Sequence, residues 1–178
     1  VTLQNLERLT PIYDSERPVG STADMRTWYT TKPAQLSPKS HISHVVGDAA
    51  WEGYVATVLE KRDEVLAYAK NDHLGFHIQY LWAGSSRRFI PDFLIRLASG
   101  EMLVLEVKGQ DTPRDRAKRA ALGEWVEAVS AAGVFGVWRH DVIFQPAEAN
   151  DAISRNANPP RPTPDRVHKG GWSGGVQT

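Results

Sequence analysis

Three residues of types that do chemistry stand at telling positions in this sequence: Asp92, Glu106 and Lys108. Glu106 and Lys108 close the run Met102 to Lys108, apolar almost without interruption up to Glu106, as expected of a strand buried on both faces. Strand side chains alternate between faces, so Glu106 and Lys108 project together while Leu105 and Val107 point the other way. A carboxylate and an ammonium ending a buried strand cost desolvation that folding does not tolerate without a partner or a use. Asp92 lies 14 residues before Glu106, at the head of the preceding strand-like run. A hairpin about Gly100 that pairs Phe93 to Leu97 with Met102 to Val107 brings two carboxylates and a lysine together.

Neighbouring carboxylates repel unless one is protonated or a cation sits between them. Magnesium, with manganese as a substitute, suits such a sparse oxygen site, because it is held by one or two carboxylates plus substrate phosphate. The lysine then orients or helps deprotonate the attacking water and screens charge on a pentacovalent phosphorus. The chemistry implied is phosphodiester hydrolysis. The competing reading is a buried Asp-Lys-Glu ion-pair network near a sheet edge, and a Glu-x-Lys triplet alone is common by chance. The full phrase Ile90-Pro91-Asp92-Phe93, then Leu105-Glu106-Val107-Lys108-Gly109, on successive predicted strands with a helix after it, is far more specific.

The elements that must position these residues follow from periodicity. Asp48 caps a predicted helix from Ala49 to about Asn71, with Trp51, Val55, Val58, Leu59, Leu66 and Ala69 at helical spacing and a break near Asp63. Phe76 to Trp82 alternates as a strand, Ala83 to Ser86 turns, and Phe89 to Leu97 reads as a second strand bent or started by Pro91. Thr112-Pro113 starts a helix whose core stripe is Ala117, Ala121, Trp125, Ala128, Val129 and Ala132, closed by Gly133. Val134 to Trp138 and Val142 to Phe144 are predicted strands, and Pro146 to Ser154 a last short helix. The crossover through the long helix makes the strand before it and the strand after it parallel. The fold class expected is α/β, a mixed sheet flanked by helices. Residues 1–47 read as a lead-in or attachment segment with a strand at Thr27 to Thr31, 48–155 as the working domain, and 156–178 as a flexible Pro/Gly/Arg tail.

Composition narrows the classes. The chain has 178 residues, 41% hydrophobic and 24% charged, with no cysteine and a formal net charge of zero. Disulfides, thiolate metal sites and thiol nucleophiles are excluded. No apolar run approaches the roughly 20 residues of a membrane span, so no membrane partner is expected. The start lacks a secretory pattern, and a reducing interior such as the cytoplasm fits. The absence of an initial methionine suggests a piece cut from something longer, although removal of an initiator methionine would look the same. Bulk positive charge does not drive nucleic-acid binding here, although Arg87-Arg88 and the stretch Arg114, Arg116, Lys118, Arg119 are locally basic; the simplest reading of those is a solvated face. His41/His44 and His73/His77 lack the flanking glutamate of a zinc-protease helix, and no phosphate-binding Gly-rich loop is present.

These phrases resemble the PD-(D/E)xK nucleases, whose shared core is a helix, an antiparallel strand trio, a helix and a further strand. Within that superfamily the closer resemblance is to the C-terminal endonuclease domain of type III restriction enzyme nuclease subunits and related helicase-nucleases. Trp51-Glu52, Lys70-Asn71-Asp72-His73-Leu74-Gly75-Phe76, Trp125-Val126-Glu127-Ala128-Val129 and the lead-in Thr31-Lys32 and Ser40-His41-Ile42 carry that likeness, over residues 25–145. The resemblance implies a restriction-endonuclease-like core, with Asp92 and Glu106 as metal ligands, Lys108 as the catalytic lysine and the Val107 carbonyl as a further ligand. It gives Glu52 the place of a first-helix glutamate that holds a water or a second metal, and Lys118 that of a helix lysine reaching phosphate. Gln110, beside Asp111 just after the site, and Arg114 are further candidate DNA contacts. The implied partners are DNA, a helicase or translocase part of the same polypeptide that alone would use ATP, and a methyltransferase subunit that reads the target. A repair nuclease of the same superfamily, and a catalytically silent nucleic-acid-binding or helicase-docking domain, are the alternatives.

Overall fold

The computed structural model describes residues 22–47 and 50–158. The proposed Asp48 cap and all of the tail beyond residue 158 lie outside the described residues. Among those described, no helix is long and apolar enough to cross a membrane.

The centre is a mixed four-stranded sheet in the order β3 (Val65–Lys70), β6 (Phe93–Leu97), β7 (Met102–Val107), β8 (Trp138–Ile143). The first three are mutually antiparallel and β8 runs parallel to β7. Helix α1 (Ala50–Lys61) precedes β3 and helix α2 (Pro113–Ala132) makes the crossover from β7 to β8. Two small antiparallel pairs complete the strands: β1 (Ala34–Leu36) with β2 (His44–Val46), and β4 (Ile78–Trp82) with β5 (Ser85–Phe89). Helix α3 (Ala149–Ala157) follows a short 3-10 turn at Pro146–Glu148. The α/β expectation holds, and helix, three antiparallel strands, helix, parallel strand is the order that the resemblance implies.

The sheet is covered on both faces, which explains why β7 is apolar in both directions. On one face Phe93, Ile95 and Leu97 of β6 and Leu103 and Leu105 of β7 pack against Val55 and Leu59 of α1 and Ala152 and Ile153 of α3. On the other, Val104 meets Leu122 and Val126 of α2 together with Ile78, Tyr80 and Phe89 of the β4–β5 pair. The α2 boundaries are those expected: the Thr112 hydroxyl accepts from the Asp115 N–H, Asp115 returns a bond to the Thr112 N–H, and Gly133 takes the left-handed conformation, φ 72°, that ends the helix. Its buried residues are Leu122, Val126 and Val129, so of the predicted stripe Ala132 is exposed and Leu122 and Val126 were missing.

Several predicted elements are corrected. The first helix stops at Lys61 instead of running to Asn71, and Val65–Lys70 is a strand. A register shift between Val65 and Ala67 breaks the two-residue alternation there, and the buried positions Val65, Tyr68 and Ala69 fall at helix-like spacing. The sheet neighbour β6, which sequence periodicity does not show, decides the matter. Consequently the first strand of the central trio is β3, and the predicted strand from Phe76 begins a separate ribbon with β5. The predicted strand Phe89 to Leu97 divides at Pro91, which has no N–H for a ladder: Phe89 ends β5 and Phe93 starts β6. Val134 to Trp138 and Val142 to Phe144 are replaced by the single strand β8, whose polar middle, Arg139, His140 and Asp141, hid it. Arg139 is held by Glu101, at 2.6 Å, and Asp141 by Arg155 and Asn156, each at 2.9 Å. Finally, Thr27 to Thr31 is not a strand, and the β1–β2 pair takes its place. Thr27 to Thr31 are strand formers by composition, but a strand needs a ladder partner, and Val45 and Val46 pair with Ala34 and Gln35.

The strand assignment of residues 65–70 puts Leu66 at 55% exposure and Tyr68 at 2%. Leu66→Ala is therefore expected to change unfolding free energy by less than about 0.5 kcal/mol, and Tyr68→Ala to cost roughly 3 kcal/mol or more. Urea unfolding of both variants checks this; a Leu66→Ala loss as large as that of Tyr68→Ala would restore the helix.

Candidate active site

The β6–β7 register decides what meets at the sheet's end. Phe93 pairs with Leu105 and Leu94 with Val104, so continuing the ladder by one residue sets Asp92 opposite Glu106. Phe93 and Leu105 both turn into the α1 side, which leaves Asp92, Glu106 and Lys108 on the α2 side. The Asp92 N–H donates to Glu106 Oε2 at 3.2 Å, and the Val107 N–H donates to Asp92 Oδ2 at 2.7 Å. Lys108 Nζ lies 2.7 Å from Glu106 Oε1 and 3.5 Å from Asp115 Oδ1. The convergence expected from alternation and a Gly100 hairpin is the observed geometry.

Glu106 is 4% exposed. Burial and the neighbouring Asp92 charge push its carboxyl up to about 7, against the pull of Lys108. Asp92 is raised as well, first by burial and then by the charge of Glu52, partly offset by the Val107 N–H. Lys108 moves the other way from what burial alone would do. Burial lowers its ammonium, but the bond to Glu106 and the charges of Glu106, Asp115 and Asp92 outweigh that and hold it protonated. Lys108 thus stands directly against one buried acid, Glu106, and close to a half-buried one, Asp92.

Glu52 enters from the first turn of α1, near enough to raise Asp92. Its own partner is Lys70, at 2.9 Å. Lys70 is 5% exposed, at the end of β3, and also meets Asp72 Oδ2 at 2.8 Å and the Val46 carbonyl at 2.8 Å. Lys118 joins the main cluster through Asp115, at 3.3 Å, and lies 5.6 Å over the Phe89 ring. Arg114 is directed to the β4–β5 ribbon, donating to the Tyr80 hydroxyl at 2.8 Å. Gln110 is exposed past the end of β7, and Asp111 is taken by Arg119 at 2.7 Å.

Two participants, Lys70 and Asp115, have no site role in the sequence reading. Lys70 sat inside a phrase quoted for its family likeness, but the helical reading of residues 65–70 hid its position at a strand end. Asp115 carried a signal, the Thr112-x-x-Asp115 spacing of a capping box, yet nothing in sequence said that its other oxygen would face Lys108 and Lys118. Trp51 stands beside Gly109, its ring 4.0 Å from where a side chain there would begin, an ordinary contact distance.

A hard divalent cation fits this donor set. Among the described residues no group of three or more His, Cys, Asp and Glu side chains gathers as a full metal cage. Magnesium does not require one, since it keeps waters and accepts one or two carboxylates with substrate phosphate. The Asp92–Glu106 pair, where burial and then the Asp92 charge raise Glu106 to about 7, is the kind of site a cation stabilises.

Comparison of the chain with protein-family models, with curated proteins and with solved structures returns no match.

Two outcomes follow for the metal-free chain. Because the folded-state pKa of Glu106 lies above its ordinary value of 4.5, the folded protein binds the extra proton between about pH 4.5 and 7, and stability falls as pH rises through that window. Glu106→Gln is expected to raise the melting temperature relative to wild type at pH 8 and to leave little difference at pH 4; equal shifts at both would contradict the assignment. Lys70→Met strands Glu52 and Asp72 without their buried cation and is expected to cost about 3 to 5 kcal/mol by denaturant unfolding.

Proposed function

We propose that this chain is a Mg²⁺-dependent DNA endonuclease domain that hydrolyses backbone phosphodiesters, with Asp92, Glu106 and Lys108 as its catalytic residues. The observation that carries the reading is the convergence of a buried carboxylate, Glu106, a half-buried one, Asp92, and a protonated lysine at one sheet end, from adjacent antiparallel strands. A simple structural ion-pair network accounts for one acid with Lys108, but not for a second, half-buried acid set against the first.

The divalent ion supplies charge neutralisation on a phosphate oxygen and makes water easier to deprotonate. Asp92 and Glu106 hold it, with the Val107 carbonyl as a further oxygen. Lys108, held protonated, places its charge against the phosphate as negative charge builds and orients the attacking water; its raised pKa favours this over service as the base. Asp115 keeps the Lys108 side chain directed to the site from outside. Glu52, set by Lys70, is placed to accept a hydrogen bond from water on the α1 side of Asp92. A water oxygen bonds to phosphorus, one P–O ester bond breaks, and the water's second proton goes with the leaving oxygen, giving a phosphomonoester and a free hydroxyl.

The setting we favour is the cleavage module of a type III restriction enzyme. The phrases at Trp51-Glu52 and Lys70-Asn71-Asp72 support it, and both now lie beside the candidate site: Glu52 and Asp72 share Lys70, and the Asn71 N–H donates to the Asp92 carbonyl at 2.8 Å. In that setting ATP acts only through a helicase part, target reading belongs to a methyltransferase subunit, and one site of this kind cuts one strand.

Supercoiled plasmid incubated with the chain and magnesium is expected to be nicked, with activity abolished by chelator and lowered at least about a hundredfold by Asp92→Ala or Lys108→Ala. Cutting that survives both substitutions would refute the site. An inert wild type that still binds DNA, alone and when joined to its translocase and methyltransferase partners with ATP, would leave a binding domain instead.

A further inference from the structure

The β4–β5 ribbon is not required by the central sheet. It hydrogen-bonds to none of the four sheet strands and packs on α2, with Arg114 tying the Tyr80 hydroxyl to that helix. Its pairing is regular: Gln79 faces Arg88 and Leu81 faces Ser86 across the strands. Opposed residues share a face, so Ile78, Tyr80 and Phe89 turn inward and are buried, while Gln79, Leu81, Ser86 and Arg88 form an outer face that is exposed. Leu81 there is 76% exposed. This face borders a groove of about 510 Å³ against Ala117, Ala120 and Ala121 of α2, small residues that keep it wide, with Glu124 as its one lining carboxylate.

Charge sets the ribbon apart from the rest of a neutral chain. Between Asp72 and Asp92 the sequence contains no Asp or Glu, and Arg88, on the outer face, has no carboxylate partner among the described residues; Arg87, also without one, opposes Tyr80 and so belongs to the other face. By contrast Arg116 and Arg119 share Asp111, Arg139 has Glu101, and Arg155 has Asp141. An arginine left unpaired on a face of this kind, with no acid on the ribbon to offset it, is suited to an anionic partner. The ribbon also leads straight into the site: Phe89, under Lys118, is three residues before Asp92.

From this we infer that the outer face of the β4–β5 ribbon docks in the major groove of duplex DNA, next to the phosphate that Asp92, Glu106 and Lys108 act on. The inference deepens the nuclease reading and rests on it for the identity of the ligand. A major groove about 12 Å wide admits a two-stranded ribbon. Five residues per strand extend about 17 Å, or about five base steps at 3.4 Å each. Arg and Gln are the side chains that bond bidentately to guanine and adenine edges there, and Leu81 supplies apolar contact for a thymine methyl group. Such contacts give the cutting domain a grip on duplex of its own, with a local base preference near the cut.

The test measures binding of the chain to a fluorescent 20-base-pair duplex by anisotropy, in calcium so that the duplex stays intact. A second duplex carries glucosylated hydroxymethylcytosines, which fill the major groove and leave phosphates and minor groove unchanged. Arg88→Glu and the double variant Gln79→Ala/Arg88→Ala, both on the exposed face and expected to melt with wild type, should each weaken binding about tenfold. The filled duplex should weaken wild type similarly and add no further loss to Arg88→Glu. Variants and filled duplex that bind like wild type and plain duplex would overturn the inference, as would binding of single strands only. If in those cases Lys108→Ala still abolishes magnesium-dependent cutting, the nuclease reading stands alone. Weakened binding by Arg88→Glu and by groove filling, in a chain that never cuts, would keep the ribbon and remove the nuclease.

Discussion

The antiparallel register of β6 on β7 is the constraint from which the site follows. With Phe93 opposite Leu105, both fully buried under α1, the next residue of each strand must turn to the α2 side, and those residues are Asp92 and Glu106. A shift by one residue would put Phe93 where Asp92 stands and carry the apolar set to the wrong face. The same apolar pairs that build the core therefore hold two carboxylates in contact at the sheet's end. That contact opposes folding, through burial and repulsion, and the surrounding structure offsets it with the Val107 N–H, the Asp92 N–H and Lys108.

Two lysines divide the work of balancing charge. Lys70, buried on the α1 side between Glu52, Asp72 and the Val46 carbonyl, is structural in character and joins α1, β2 and β3 at one point. Lys108, at the end of β7, is more open and shares itself between Glu106 and Asp115. Asp115 serves two elements at once, capping α2 and facing both Lys108 and Lys118, so the helix that covers one sheet face also fixes cations around the site. The α/β layers and the charge cluster are built from the same few contacts.

Sequence reading recovered what depends on local pattern. Alternation placed Glu106 and Lys108 on one face, Gly100 marked the hairpin, Thr112-Pro113 and Gly133 bounded α2, and the crossover rule made β8 parallel to β7. It missed what depends on distant neighbours. Val65 to Lys70 reads as helix because a bulge spoils its alternation, and only β6 makes it a strand; with that strand misread, Lys70 and its hold on Glu52 were invisible. The polar centre of β8 reads as loop until Glu101, Arg155 and Asn156 are brought to it. Phe76 to Trp82 reads as a strand of the central sheet and Ala83 to Ser86 as a turn, and their place in a separate ribbon with Ser85–Phe89 is a fact of topology.

The central claim is that Asp92 and Glu106 form a divalent-cation site beside Lys108. Its most direct test is manganese binding followed by electron paramagnetic resonance, on wild type and on Asp92→Asn, each with a short duplex made uncleavable by phosphorothioate substitution. The account predicts manganese bound by wild type with loss of the free-ion signal, and a signal close to that of free manganese with a folded Asp92→Asn. Equal binding by the two proteins would contradict it.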